Sequence, residues 1–331
     1  IYGAAGLIKN VDFAHQKQPY IAVVKDGAGI GRVMKLPAYS SVIGTMQYIF
    51  PKENVDIDYL FYALQHMNLG KYFSGSTIPH IYFRDYQKER LKLPVMEVQQ
   101  RQADTLSRID ALSAYGQRQI ALMDEIVKSR FVEMFGDRNY PHTALINLIK
   151  DGMGLSYGIV QPGDDGTGEM GVLRPVDMAD GKISMASIKY IDRSIGDGFR
   201  KTELTGDELL ITVRGTTGVT ALTDIRFAGM NVTRGIAVIR YDREKINPVY
   251  LNAYLNTDES QRYIQEHTRG ATLQQINLSD LRVQEVVVPP TNLQNCFAAF
   301  VAEVDKSKLA VQQSLEKLET LKKSLMQQYF G

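Results

Sequence analysis

Residues 75–136 of this chain match residues 270–331 without a gap, and this internal repeat limits the possible fold more than any other feature. A displacement of 195 positions carries Gly75 onto Gly270, Thr77 onto Thr272, Ile81 onto Ile276, Asp85 onto Asp280 and Pro94 onto Pro289. The same displacement carries Gln99 onto Gln294, Asp110 onto Asp305, Lys128 onto Lys323, Ser129 onto Ser324 and Phe135 onto Phe330. Upstream, a weaker match lays VVKDGAG, ending at Gly29, over TVRGTTG, ending at Gly218, with a displacement of 189. Solenoid repeats are shorter and more numerous, so two copies of this size predict two similar domains in a pseudo-twofold arrangement.

Each copy ends in a helical pattern. After Pro94 no proline or turn cluster interrupts the chain until the stretch from Gly136 to Pro141. Leu106, Ser113, Ile120, Val127 and Met134 recur at heptad spacing, with Ile109 and Met123 alongside. Phe297, Val304, Val311, Leu318 and Leu325 repeat the spacing, flanked by Val301 and Leu315, with Gln, Lys and Glu between. Such a stripe is the seam of a coiled coil. The first helix ends where the second domain begins, and domain termini commonly lie close together, so the second helix is expected to run back antiparallel to the first.

Within the domains, YIAVV near Tyr20, MQYIF at Met46, ELLITV ending at Val213 and GIAVIRY from Gly235 predict strands. YLFYALQH after Asp58 and VYLNAYLN after Pro248 predict short helices, and LKLP and VVVP, ending at Pro94 and Pro289, predict extended closing segments. The expected fold class is therefore α/β (α+β), with two domains separated by two long antiparallel helices forming a coiled coil. The first domain spans residues 1–94, the first long helix 95–136, the second domain 137–289 and the second long helix 290–331.

With 331 residues, 44% hydrophobic and 23% charged, the chain can bury two cores. No apolar run approaches the eighteen or so residues of a membrane span, and no signal-peptide pattern opens the sequence, so the expected location is the cytoplasm without membrane partners. Cys296, the one cysteine, cannot form an internal disulfide or a cysteine metal site. A net charge of +1 decides nothing about nucleic acid, because phosphate affinity depends on how cations are grouped.

In their order, these segments resemble the specificity subunit of type I restriction-modification systems. YGAAGLI at Tyr2, VVKDGAGIGRV ending at Val33, FSGSTIPHIYFRDY from Phe73, LPVMEVQQRQ from Leu93 and KSRFVEMFG closing the first helix are similar to one half of such a subunit. GVLRPVDMADGKI from Gly171, GDELLITVRGTTG from Gly206, RGATLQQINLSDL from Arg269, VVVPPTNLQ and LKKSLMQQYFG are similar to the other half. The resemblance covers nearly the whole chain and implies two target-recognition domains reading a bipartite duplex site. Helices of about 40 residues at about 1.5 Å per residue reach on the order of 60 Å, more than the 34 Å or so of one duplex turn. The implied partners are double-stranded DNA, two methyltransferase (M) subunits and the restriction and translocase (R) subunits. No cofactor is expected on this chain; S-adenosylmethionine, ATP and magnesium are implied for the partners. The strand ending at Val213 begins some 70 residues beyond Gly136, whereas its counterpart ending at Val24 begins about 20 residues from Ile1, so roughly 50 residues of the first domain are expected to be absent from this sequence.

A sequence reader needs phosphate contacts for register and polar groups on base edges for specificity. In the first domain Ser76, Thr77, His80, Tyr82 and Arg84 alternate with apolar Ile78, Ile81 and Phe83, while Lys25 and Arg32 flank a glycine-rich turn able to approach a phosphate. The second domain offers Arg174, Lys189, Arg193, Arg214, Thr216, Thr217, Arg234, Arg269, Thr272, Gln274, Gln275 and Asn277. Arginine can read guanine and Gln or Asn adenine, with Arg214, Arg269 and Gln275 ranked first. The plainer alternative for each is a solvated surface residue, and for Thr77 and Thr272 a turn or cap. His15, His66, His80, His142 and His267 show no metal-ligand spacing, so no metal site is expected.

Enzymatic motifs are missing. The glycines of DGAGIGR do not fit the dinucleotide fingerprint, which needs glycine where Arg32 stands, nor the phosphate loop of nucleotide hydrolases. VVPPTN at Val287 lacks the acidic or amide residue and aromatic that flank two prolines in adenine methyltransferases. A non-catalytic subunit is expected. The alternatives are a helical adaptor without DNA specificity, and a DNA-modifying enzyme built on the acidic cluster of Asp164, Asp165 and Glu169.

Overall fold

The computed structural model describes the whole chain apart from residues 76–78, 137–138, 162, 164–167 and 180. It divides into two compact units, one of Ile1–Ala121 with Lys308–Gly331, the other of Leu122–Ser307.

In the first unit, β1 (Tyr20–Val24) is flanked on both sides by antiparallel neighbours, β2 (Val33–Leu36) and β3 (Met46–Ile49). All five side chains of β1 are buried, which explains an uninterrupted YIAVV where a half-solvated strand would alternate. Ile21 and Val23 pack with Val33, Leu64, Leu69 and Ile81, while Tyr20, Ala22 and Val24 pack on the other face with Leu36, Val42 and Met46. Helix α1 (Ile57–His66) starts at Asp56, whose carboxylate accepts from the N–H groups of Asp58 and Tyr59 at 2.9 Å each. It places Tyr59 against Leu106 of α2 (Met96–Phe135), a 40-residue helix.

The second unit opens with β4 (His142–Ala144) and carries two larger sheets. One joins β5 (Ser156–Tyr157) to the four-stranded set completed by β8 (Leu209–Thr212), β9 (Thr220–Leu222) and β11 (Ile236–Ile239), in the order β9-β8-β11-β5. The other has β6 (Met170–Leu173) between β7 (Lys189–Ile191) and the parallel β10 (Asn231–Val232). Helices α3 (Pro248–Leu255), α4 (Asp258–Glu266) and α5 (Leu278–Val283) follow, then β12 (Glu285–Val287), which pairs with β4, and the second 40-residue helix α6 (Thr291–Phe330). VVVP thus contributes a strand, whereas LKLP, expected to behave alike, has no regular structure and no neighbouring strand among the described residues.

The heptad stripes are the less exposed positions of both long helices. In the first unit Asp110 meets Lys322 at 2.5 Å, and a methyl group added at Gly116 would sit 2.8 Å from Leu315. Partner numbers fall as α2 advances, so the helices run antiparallel there. In the second unit Phe131 and Phe135 of α2 pack on Phe297 of α6, with ring centroids 5.4 and 5.7 Å apart.

The two units share a hydrogen-bond frame. Gln99, buried in α2, accepts from Asp56 N–H at 2.9 Å and donates to the Pro94 carbonyl at 2.8 Å. Gln294, buried in α6, does the same with Asn247 N–H at 2.8 Å and Pro289 at 2.7 Å. Tyr59 donates to the Lys92 carbonyl at 2.7 Å, as Tyr250 does to Val287 at 2.8 Å. The frame corrects the upstream alignment by one residue. Ile81 N–H donates to the Lys25 carbonyl and Ile276 N–H to that of Val213, so Lys25 corresponds to Val213 and Asp26 to Arg214. Gly29 is not the equivalent of Gly218, which matches Gly31, because the first turn is one residue longer; both have positive φ, +79° and +87°.

Candidate nucleic-acid interface

The central strand of each unit ends in a glycine turn, and a short hairpin docks against that turn. In the second unit, Gly215 (φ +84°) opens the turn after β8 and donates its N–H to the Gln274 carbonyl at 2.9 Å. The hairpin is closed by reciprocal bonds between the backbones of Arg269 and Gln275, both 2.8 Å, and needs Gly270 (φ +104°), where a side chain would strike the Leu273 carbonyl at 2.3 Å. In the first unit Gly27 (φ +87°) donates to Pro79 at 3.0 Å, Ser74 and His80 exchange bonds of 2.8 and 2.9 Å, and Gly75 has φ +101°.

The candidate side chains divide by whether the protein already holds them. Arg174 grips the buried carboxylate of Asp177 at 3.0 and 3.1 Å and donates to the Ser187 carbonyl at 2.5 Å. Burial opposes ionisation of Asp177, but hydrogen bonds from Arg174 and Ser187 outweigh it and hold the carboxyl below its ordinary range. Lys189 donates to the Gly163 carbonyl, and Arg193 pairs with Glu203 at 3.2 Å; both lie at the sheet of β6 and not at the glycine turn. Thr217 is buried and shares a hydrogen bond of 3.0 Å with Thr268. Asn277 precedes α5 without donating or accepting a side-chain cap bond.

Arg214 and Gln275 are half-buried beside one another, and Arg234, Thr216, Thr272 and Gln274 are exposed; none of these side chains has a partner among the described residues. Arg234 adjoins the same turn, since Val213 N–H donates to the Gly235 carbonyl at 2.8 Å. Arg269 is exposed and lies 3.5 Å from Asp280.

In the first unit, His80 contacts the Asp26 carboxylate and lies 4.1 Å from the Tyr82 ring, over which the Arg84 guanidinium sits at 4.6 Å. Lys25 is half-buried, and exposed Arg32 donates to the Ala4 carbonyl at 2.9 Å. Ser76 and Thr77, like Asp164 and Asp165, lie outside the described residues. Sequence reasoning missed Asp26: an acidic residue is a poor phosphate ligand, and the one-residue slip in alignment hid its equivalence with Arg214. Among the described residues no group of three or more His, Cys, Asp or Glu is placed to hold a metal ion, and no helix is long and apolar enough to cross a membrane.

The sequence profile described as "Type I restriction modification DNA specificity domain" matches residues 3–122 and 174–321, well over half of the chain. The chain belongs to that family. Specificity-family relatives include the type I restriction enzyme EcoBI specificity subunit of Escherichia coli, 24% identical over 198 residues, a match covering 58% of this chain and 41% of that one. Another is named as the type I restriction enzyme MjaX specificity subunit of Methanocaldococcus jannaschii, 22% identical, covering 83% of this chain and 67% of that one. The chain thus spans about two fifths of the EcoBI subunit's length and two thirds of the MjaX subunit's. Among solved structures, a type I restriction-modification S subunit from M. genitalium aligns at 15% identity with a TM-score of 0.59, covering all of this chain and 88% of that one. A chain from a study of type I R-M complex assembly and conformational transition aligns at 15% identity with a TM-score of 0.53, covering 94% and 81%. These likenesses establish the specificity-subunit fold, mixed α/β with long helices.

Proposed function

We propose that this chain is the DNA-reading, non-catalytic subunit of a type I restriction-modification complex, with each unit reading one half of a bipartite duplex target. The observation that carries this reading is the duplicated turn-and-hairpin platform, one hydrogen-bond frame built twice with different polar side chains on it. A protein that must read two unlike half-sites needs a fixed backbone to set register and variable groups to touch bases. Arg214, Gln275 and Arg234, whose side chains have no partner among the described residues, are groups of the type that reads base edges or binds phosphate. The long helices set the separation of the half-sites by their length.

In this proposal methylation of adenine with S-adenosylmethionine, and ATP- and magnesium-dependent translocation and cleavage, belong to two methyltransferase subunits and to restriction subunits recruited by this chain in the cytoplasm. The test is to express the chain with those partners and map methylated adenines genome-wide. A motif of two short half-sites separated by a constant gap is expected. A single uninterrupted motif, methylation without sequence preference, or magnesium-dependent cutting by the chain alone would contradict it.

A further inference from the structure

The hydrogen bonds that dock each hairpin also fix which side chains stand together. In the second unit, Gly215 N–H donates to Gln274 and Ile276 N–H to Val213, which makes Arg214 and Gln275 a directly opposed pair between the two bonds. Opposed residues of this kind lie closest of any cross-strand pair, Cα atoms about 4.5 Å apart, with side chains on one face. Gln275 is also bridged on its other side to Arg269 by the reciprocal bonds that close the hairpin, a pair about 5.5 Å apart. Arg214, Gln275 and Arg269 therefore form one row across three backbone segments, about 10 Å from end to end. The equivalent row of the first unit is Asp26, His80 and Ser74, and the contact between Asp26 and His80 is what this geometry requires.

We propose that this cross-strand row is the base-reading element of each unit, a deeper statement of the proposed function and resting on it. The row's backbone is the same in both units, with glycine at Gly27 and Gly215 and at Gly75 and Gly270, while all three of its side chains differ. A shared frame with unlike polar side chains is what two readers of different half-sites need. Laid along the major groove, a row of about 10 Å spans about three base steps of 3.4 Å. Arg214 and Arg269 present forked donors suited to guanine and Gln275 an amide suited to adenine, whereas Asp26 presents an acceptor suited to the amino group of cytosine.

The test is selection of bound duplexes from a randomised pool by the chain assembled with its modification partners. Arg214→Asp combined with Gln275→His, which installs the first unit's pair in the second, should change one or two adjacent bases of one half-site and leave the other half-site and the gap as they were. Arg214→Lys, which keeps the charge and loses the fork, should lower the preference at one base by roughly tenfold or more with little change in binding to unrelated duplex. An unchanged motif in either variant, or affinity that falls equally on all sequences, overturns the assignment of the row and leaves the function standing. A wild-type complex that selects no motif removes the function and the row together.

Discussion

Arg174 and Arg214 are both arginines just beyond a strand of the second unit, but Arg174 is held by Asp177 whereas the Arg214 side chain has no partner among the described residues. Arg174 neutralises Asp177, so Arg174→Ala leaves a buried carboxylate uncompensated and should cost about 3 kcal/mol or more of stability, read as a lower denaturant midpoint. Exposed Arg193, paired with Glu203, should change stability by less than about 0.5 kcal/mol when replaced by Ala. The held carboxylates also set an acid limit. Glu208 is buried, which works against its charge, but it accepts from the Thr205 hydroxyl and N–H and from the Thr223 hydroxyl, beside Arg240, and its carboxyl is lowered as that of Asp177 is. A folded-state value below the unfolded one adds stability above the unfolded value, about pH 4, that is lost as pH falls through the folded value. Thermal stability should therefore hold from pH 7 to about 5 and decline steadily below about 4; a melting temperature unchanged from pH 7 to 3 would contradict this account. The Arg–Asp pair is three residues apart in the sequence, yet spacing alone could not separate a held arginine from a free one. That distinction depends on the burial of Asp177, whose carboxylate also accepts from the Ser187 hydroxyl at 2.8 Å.

At the scale of elements, the identical residues of the repeat turn out to fix how each helix starts. Gln99 and Gln294 each tie the start of a domain helix to the first turn of a long helix, with every polar group of the bond buried or half-buried. Gln294→Ala strands the Asn247 N–H and should destabilise by about 1–3 kcal/mol, whereas Gln294→Glu, which keeps the acceptor but not the donor to Pro289, should also destabilise. Chemical denaturation of both variants against wild type measures this. Strands β1, β3, β8 and β11 and helices α1, α3, α2 and α6 were legible because their signals are local: uninterrupted apolar runs bounded by turns, and apolar residues at heptad spacing. What was not legible depended on partners. LKLP and VVVP read alike, but VVVP becomes a strand because β4 lies beside it. The glycine turns were aligned one residue out because loop length, set by how Gly31 and Gly218 return the chain, leaves little trace in a short match.

For the whole molecule, the repeat is expressed as an exchange. Tyr59 packs against Phe330 at 5.1 Å in the first unit, and Tyr250 against Phe135 at 4.9 Å in the second, so each domain closes on the end of the long helix belonging to the other copy. Removing seven residues from each long helix at matched positions should change the gap between half-sites and spare both half-sites, read by methylation mapping. The candidate site was legible only as a class of residue on turns; which of those residues stand together depends on hydrogen bonds linking positions far apart in the sequence. The central claim, that each unit reads its own half-site, is tested most directly by replacing residues 137–289 with the corresponding segment of another specificity-family protein and mapping methylated adenines with the same partners. The account predicts that one half-site changes to that of the donor while the other half-site and the gap persist. An unchanged motif, or simultaneous change of both half-sites, would contradict it.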